Sequence, residues 1–241
     1  MSKHFDRSVS SLERMIPETI QSDESAGNDA LRLHVQRYEF ALNHIEGRVG
    51  DVACGSGFGS AILSGKAAQV VGVDLDPDIV DYARRTYARR NVDYVCADAL
   101  QFSQAPFDAI VSFETVEHVP QPEALVHHLA SLLKPGGTLI ASVPITPSMD
   151  ANPYHLHDFN EASFMRLFPR HLRRVDALYQ TQPYSPIAVT TKSQQHLQHL
   201  RSDLVGYYLD HPAKALLRIG STLRYGFSNR YLSVVMKDER G

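Results

Sequence analysis

Apolar and polar positions show two different patterns along this chain. Between residues 29 and 45 the apolar positions recur every three or four residues, which predicts an amphipathic helix. Further along, short apolar runs alternate with helical stretches, which is typical of βαβ units with a parallel sheet. The apolar runs that predict strands are 49–54, 69–73, 92–96, 107–113 and 138–143.

The intervening stretches carry signals for helix starts and stops. Asp76 and Pro77 supply a cap and the favoured first residue for a helix over 77–89, and a helix from Pro122 is expected to end at 134–137. Short helices are predicted over 58–64 and after Asn160. Beyond these, the pattern predicts a strand over 173–179, helical residues over 193–223 with a break near His211-Pro212, and a last strand over 231–236.

This alternation predicts an α/β, doubly wound, Rossmann-like domain with helices on both faces of the sheet. We divide the chain into an N-terminal arm (1–28), a core (29–186), a helical insertion near the C-terminus (187–226), and a final core strand with its tail (227–241).

Composition narrows the class of protein. The 241 residues are 43% hydrophobic and 21% charged, which excludes a mostly disordered chain, and the formal charge of −3 argues against a nucleic-acid partner. No apolar run approaches the roughly 18 residues of a membrane span. The two cysteines, Cys54 and Cys96, cannot form a disulfide framework, and the first residues lack the apolar stretch of a secretion signal. We therefore expect a cytoplasmic protein.

A glycine-rich loop follows the first predicted strand, in Gly50-Asp51-Val52-Ala53-Cys54-Gly55-Ser56-Gly57-Phe58-Gly59. Glycines let the backbone turn tightly and approach a ligand, and the helix behind them offers free N–H groups. The spacing is not the Gly-x-Gly-x-x-Gly of dinucleotide-binding proteins. Asp74 ends the second predicted strand about 20 residues later, where open α/β sheets bind ribose hydroxyls. Alternatively, Asp74 only begins the next turn, although Asp76 already supplies the helix cap.

Two more carboxylates are predicted at the same edge of the sheet. Asp51 precedes the glycines, and Asp98 follows the third predicted strand. Buried carboxylates need donors or a cation as partners, and three of them would repel a pyrophosphate. They suit a ligand that carries a sulfonium, an ammonium, ribose hydroxyls and an adenine amine. The residues thus favour S-adenosylmethionine over a nicotinamide dinucleotide.

Four segments resemble, in order, the motifs of class I S-adenosylmethionine-dependent methyltransferases, over about residues 30–180. These segments are Asp51-Val52-Ala53-Cys54-Gly55-Ser56-Gly57, Val73-Asp74-Leu75-Asp76, Asp98-Ala99 and Leu132-Leu133-Lys134-Pro135-Gly136-Gly137. The resemblance implies a seven-stranded sheet of order 3-2-1-4-5-7-6 with an antiparallel seventh strand. Gly50 departs from the pattern, since an aliphatic residue usually precedes the acid.

The resemblance also implies roles in binding the methyl donor. Asp74 would hold the ribose, Leu75 would pack on the adenine, and Asp98 would accept from the adenine amine. Arg37, on the first helix, would meet the donor's carboxylate, with a surface ion pair as the alternative. The donor-binding residues implied in this way are Arg37, Asp51, Gly55, Ser56, Gly57, Asp74, Leu75, Asp98, Ala99, Phe113 and Glu114.

Three histidines are candidates for the base that takes a proton from a hydroxyl acceptor, and the sequence slightly favours His157 or His155 over His118. His118 lies in segment 114–119, which resembles the same region of ubiquinone-biosynthesis O-methyltransferases; alternatively, it only orients this loop. His155 and His157 lie in a loop after the fifth predicted strand and would share one face of an extended chain. A metal ion held by these two histidines and Asp158 is an alternative, but without a third, separated ligand we predict no metal.

The predicted function is methylation of a hydroxyl on a small molecule, saccharide or glycolipid, with S-adenosylmethionine as donor and S-adenosylhomocysteine as product. The saccharide rests only on overall resemblance. Methylation of a quinone, polyketide or amine, a nicotinamide-dependent oxidoreductase, and a non-catalytic cofactor-binding subunit remain alternatives. The apolar stripe in 187–226 predicts a cap on the core or on a second copy in a homodimer, and weak contact with a membrane surface is an alternative.

Overall fold

A computed structural model of the chain describes residues 15–17, 25–186, 201 and 203–240. Its strands form one sheet in the order β3-β2-β1-β4-β5-β7-β6, and β7 runs antiparallel to both of its neighbours. The strands are β1 Arg48–Val52, β2 Gln69–Asp74, β3 Val92–Cys96, β4 Phe107–Phe113, β5 Leu133–Pro144, β6 Leu172–Pro183 and β7 Ser228–Asp238. The predicted fold class and strand order are confirmed.

Helices cover both faces of the sheet. The described helices are α1 Ser25–Leu42, α2 Phe58–Leu63, α3 Pro77–Thr86, α4 Pro122–Ser131, α5 Glu161–Met165, α6 Leu204–Asp210 and α7 Pro212–Tyr225. Side chains of α1, α2 and α3 pack with one face of the sheet in one apolar cluster, and those of α4 and α5 pack in a second cluster on the other face. Burial of these two clusters holds the strand ends in fixed positions.

The predicted helix signals act as expected at three places. The Asp76 carboxylate accepts the backbone N–H of Asp78 at 2.9 Å, just before Pro77. Asn160 accepts from the Ser163 backbone N–H at 2.9 Å and begins α5. The break before Pro212 separates α6 from α7.

Other predicted bounds were wrong. Helix α4 ends at Ser131, and residues 134–137 lie inside β5 rather than ending the helix. The reason is a bulge: Phe107 pairs with Leu133, but Ala109 pairs with Thr138. Strands β6 and β7 are longer than predicted, because they pair with each other along nearly their whole length. Helix α1 spans Ser25–Leu42 instead of 29–45.

The arm and the insertion are described in part. Ile16 is buried in the core, and the Ser56 hydroxyl donates to the Met15 carbonyl at 2.7 Å, so this part of the arm lies on the body of the protein. Most of the arm and residues 187–200, which include the predicted apolar positions Leu197 and Leu200, lie outside the described residues. Among the described helices, none has the length and apolar character needed to cross a membrane.

Candidate active site

The glycine loop turns sharply at the carboxyl end of β1. Gly55 and Gly57 have positive φ angles of 53° and 88°. A β-carbon on Gly57 would lie 2.6 Å from the Ala83 β-carbon and 2.9 Å from the Tyr94 ring, so only glycine fits. The Tyr94 hydroxyl in turn donates to the Gly57 carbonyl at 3.0 Å. The loop is thus shaped by contacts beneath it.

Asp74 joins the ends of β1 and β2. Its carboxylate accepts the Gly55 backbone N–H at 2.9 Å and the Asp76 backbone N–H at 3.1 Å. These bonds hold the carboxylate at the edge of the sheet, beside the glycine loop. The neighbouring Leu75 side chain is 68% exposed, which leaves an apolar surface free for a planar ring. Both placements agree with the roles that the resemblance implies.

Asp51 lies below the loop rather than on its surface. It is 1% exposed and accepts from the Ser60 hydroxyl at 2.6 Å and from the Tyr38 hydroxyl at 3.3 Å. Burial, together with the charge of Asp74, raises the pKa of Asp51 to about 7. Tyr38 reaches it by lying across Gly59, where a β-carbon would come within 1.9 Å of the tyrosine ring. Asp51 therefore supports the loop by linking it to α1 and α2.

The raised pKa of Asp51 predicts a pH-dependent stability in the donor-free protein. Because the carboxyl group binds its proton more tightly when folded, its contribution to stability is fully present below the unfolded pKa near 4 and is lost as pH rises through about 7. Urea unfolding of the wild type and Asp51→Asn at several pH values from 4 to 8 measures it. The wild type should lose stability relative to the variant as pH rises, and parallel curves would contradict the assignment.

The remaining predicted residues of this side are placed as follows. Asp98 follows β3 and accepts the Leu100 backbone N–H at 2.9 Å, with the half-buried Ala99 beside it. The Ser56 hydroxyl is bonded to the N-terminal segment. Phe113 packs edge-on against the Tyr38 ring at 5.1 Å, so its side chain belongs to the core rather than to an open pocket surface.

Arg37 is buried at the same edge of the sheet. It is 1% exposed, which rules out the alternative of a surface ion pair. Its Nη2 lies 3.9 Å from Glu114 Oε2, and its guanidinium lies over the Tyr231 ring. Its Nε and Nη1 have no hydrogen-bond partner in the described part of the chain. Burial, helped by the charge of Arg37, lowers the pKa of His34 to about 3, so this neighbouring imidazole is neutral.

The Arg37 nitrogens that lack a partner among the described residues show whether S-adenosylmethionine fits this site. A buried guanidinium whose Nε and Nη1 have no partner among the described residues carries a large desolvation cost, and its planar fork matches a carboxylate. The α-carboxylate of S-adenosylmethionine is such a group. Glu114, fixed at φ 50° with its Oε1 accepting from the Ser142 hydroxyl at 2.7 Å, adds a carboxylate beside it that suits the donor's ammonium. The residues fit the predicted donor.

Two of the three candidate histidines meet across two loops. His118 Nδ1 lies 3.2 Å from the Tyr154 carbonyl, and His155 Nδ1 lies 2.7 Å from the Ser148 hydroxyl. Their rings are in edge-to-face contact at 4.6 Å. The bonds of the two Nδ1 atoms within the loops fix the orientation of both rings.

His157 faces the same segment but does not join this pair. Its Nε2 lies 3.0 Å from the Val119 carbonyl, and its ring lies against Phe159. Of the two loop histidines, only His155 meets the His118 ring. Asp158 is bonded to Lys214 and to backbone N–H groups.

A group of possible metal ligands differs from the alternative drawn from the sequence. Glu117, His118 and His155 each place one ligand atom within 4.8 Å of the others. Glu117 is fully buried, on the short 3₁₀ turn Val116–His118 after β4. One carboxylate and two imidazoles are a donor set that suits a transition-metal ion. The set could hold such an ion as well as work without one.

Several residues of the site escaped the sequence analysis as individual candidates. They are Tyr38, Ser60, Glu117, Ser142 and Tyr231. Tyr38, Ser60, Ser142 and Tyr231 each contact a predicted residue that lies in a different element of the fold, and no local spacing signals such a contact. Glu117 is the exception, because an acid directly before His118 could have been ranked with it.

The sheet order, the glycine loop and the acidic edge are similar to those of class I S-adenosylmethionine-dependent methyltransferases. Residues 50–141 match the family model described as a methyltransferase domain.

The similar proteins carry names of the same class. A ubiquinone biosynthesis O-methyltransferase of Xylella fastidiosa is 44% identical over 100 residues, 39% of this chain and 41% of the relative. A Mycolicibacterium smegmatis protein named probable S-adenosylmethionine-dependent methyltransferase is 28% identical over 162 residues, 64% of this chain and 61% of that protein. The matches thus span less than two thirds of either relative.

The fold recurs in a solved structure. The N-methyltransferase NodS of Bradyrhizobium japonicum, in complex with S-adenosylhomocysteine, aligns with a TM-score of 0.58 at 14% identity, over 95% of this chain and 97% of NodS. At this identity the likeness supports the fold alone.

Proposed function

We propose that this protein transfers a methyl group from S-adenosylmethionine to a hydroxyl oxygen of a small molecule. The observation that carries the proposal is Arg37, a buried guanidinium at the same sheet edge as the glycine loop, whose Nε and Nη1 have no hydrogen-bond partner among the described residues. The names of the two similar chains support the reaction class, and the Xylella relative is named as an O-methyltransferase.

The donor supplies an electrophilic methyl group on a sulfonium sulfur. On our proposal Arg37 binds its carboxylate, Asp74 accepts from its ribose, and Leu75 packs on its adenine. Glu114 and the glycine loop orient the methionine end. Methyl transfer develops little new charge, so alignment and exclusion of water carry most of the acceleration, with roughly 7–11 kcal/mol available from orientation.

The acceptor hydroxyl must also lose a proton. His155 and His118 are the bases that the geometry supports best, because their rings meet beside Glu117 and a bond at each Nδ1 fixes the ring. Glu117 lies beside them and favours the imidazolium that forms when a base takes the proton. General-base assistance of this kind contributes about 10²–10⁴-fold.

The Glu117, His118 and His155 group favours a second mechanism at the same site. A divalent ion there would lower the pKa of the acceptor hydroxyl, and the two histidines would then bind the ion instead of the proton. Exhaustive chelation followed by metal addition separates the mechanisms. Full turnover after chelation supports the histidine base, and turnover that returns only with added Mn²⁺, Zn²⁺ or Mg²⁺ supports the ion.

Calorimetry tests the reaction class directly. S-adenosylhomocysteine should bind and NADH should not, and Arg37→Met should weaken binding by about tenfold or more through loss of a charge-assisted contact. The exposed Arg32→Met, on the same helix, is the matched control. Binding of NADH alone would exclude the proposal and favour an oxidoreductase. Binding of S-adenosylhomocysteine without any product would favour a non-catalytic subunit.

The acceptor we propose is a sugar or phenol hydroxyl, and a panel of labelled-donor reactions identifies it. Mass spectrometry of products from nucleotide sugars, glycolipids, phenols, quinols and amines separates O- from N-methylation. The exposed outer face of the C-terminal helices, formed by Val205, Leu209, Leu216, Leu217, Ile219, Leu223 and Phe227, supports contact with a lipid surface or with a second copy. Vesicle co-sedimentation and light scattering distinguish these two.

A further inference from the structure

The helices α6 and α7 turn a polar side toward the rest of the protein. Lys214 and Arg218 have side chains only 28% and 16% exposed, while Leu216 and Leu223 on the same helix are 70% and 84% exposed. This is the reverse of an ordinary surface helix, whose apolar stripe faces the core. The contacts that hold α7 to the body are therefore charged ones.

One of these contacts joins α6 and α7 to the start of the histidine loop. Asp150 is 1% exposed and accepts two hydrogen bonds from Arg218, at 2.5 and 2.7 Å, and one from the Tyr208 hydroxyl at 2.6 Å. Arg218 also donates to the Pro147 carbonyl at 2.5 Å. A buried, bidentate pair of this kind fixes geometry strongly. Burial alone would raise the pKa of the Asp150 carboxyl. The hydrogen bonds and charge of Arg218, with the Tyr208 hydrogen bond, hold that pKa below its ordinary value.

The second contact leads to the candidate base. Lys214 Nζ donates to Asp158 at 2.6 Å, and the other Asp158 oxygen accepts the backbone N–H groups of Ser148 at 2.8 Å and Met149 at 3.0 Å. The Ser148 hydroxyl is bonded to His155 Nδ1 at 2.7 Å. An unbroken row of hydrogen bonds therefore runs from Lys214 through Asp158 and Ser148 to the imidazole.

We propose that Lys214 is a positioning residue for His155, and that Arg218 anchors the other end of the same loop. Lys214 acts by holding the Asp158 carboxylate, which fixes Ser148 and with it the ring and tautomer of His155. Neither α6 nor α7 supplies a side chain to the Glu117, His118 and His155 group, so their part is indirect. The inference rests on the proposed function only because that function gives His155 a role in the reaction. The hydrogen bonds between Lys214 and His155 can be tested in the donor-free protein, without any measurement of turnover.

Nuclear magnetic resonance of the donor-free protein tests the row. In Lys214→Met the backbone N–H groups of Ser148 and Met149 should exchange with solvent about tenfold faster, because their acceptor loses its ionic partner. The imidazole signals of His155, assigned by their loss in His155→Gln, should shift. Lys214→Arg should restore both. Arg224→Met, an exposed residue of the same helix, should leave both unchanged.

Two outcomes overturn the proposal. It is wrong if His155 and the two N–H groups are unaltered in Lys214→Met, or if Arg224→Met alters them equally. Where Lys214→Met proves too unstable, Asp158→Asn replaces it, and unaltered exchange of the Ser148 N–H in that variant contradicts the row. If the row is intact but His155→Gln retains full turnover, the proposed function of His155 fails while the positioning contact stands.

Discussion

Asp74→Ala is expected to weaken binding of S-adenosylhomocysteine by roughly 2–4 kcal/mol, which is about thirtyfold to several hundredfold. Two effects add: the charge-assisted bonds to the ribose are lost, and the Gly55 N–H loses the acceptor that holds the glycine loop. Calorimetry with the purified variant measures the change. The expected loss lies in affinity, and folding should survive because the buried strand ends remain.

Asp81→Ala is the matched control for Asp74→Ala. It removes the same charge from an exposed position on α3, where Asp81 forms an ion pair with Arg84 at 2.9 Å. Its affinity should stay within about twofold of the wild type. Asp74→Asn removes the charge but keeps the shape of the side chain, so its affinity should lie between those of the wild type and Asp74→Ala. An unaltered affinity in Asp74→Ala would remove Asp74 from the donor site.

His155→Gln is expected to reduce turnover by about 10²–10⁴-fold while leaving donor affinity nearly unchanged. The reason is that the His155 ring lies beside His118 and Glu117, in the loop after β5 rather than in the glycine loop after β1, so its loss should affect the acceptor proton rather than donor binding. With an acceptor identified by the product panel, kcat and KM are measured beside S-adenosylhomocysteine binding. His127→Gln, exposed on α4, is the control.

The comparison of three histidine variants ranks the candidates. The sequence favours His157 and His155 over His118, and no finding excludes any of them. The structure favours His155, since His157 Nε2 already lies against the Val119 carbonyl. A larger loss of turnover in His157→Gln than in His155→Gln would reverse this order. Equal losses of turnover and donor affinity in His155→Gln would mark it as structural.

Much of the fold follows from local sequence. Strands β3 and β4 begin and end where the apolar runs do, because both are buried runs bounded by polar turns. The caps at Asp76 and Asn160 are readable for the same local reason. What local pattern misses is pairing between distant segments. The bulge in β5 and the full length of β6 and β7 depend on partners far away in sequence.

The residues proposed to bind the methyl donor could be predicted from the sequence more fully than those proposed to act on the methyl acceptor. Asp74 and Leu75 follow a strand at a known edge of the sheet, so topology alone brings them beside the glycine loop. The burial of Arg37 depends on Tyr231, nearly 200 residues away in the chain. His155 meets His118 through an irregular loop that lacks any periodic signal, and Lys214 reaches that loop from a separate helix.

The close approach of Tyr38 to Gly59 couples two positions that could otherwise vary freely in evolution. Any side chain at 59 would displace the tyrosine ring, and a displaced ring could no longer offer its hydroxyl to Asp51. Chains descended from the same ancestor should therefore change both positions together or neither. A library randomised at 38 and 59 should recover glycine wherever it recovers an aromatic residue, and larger residues at 59 only with small ones at 38.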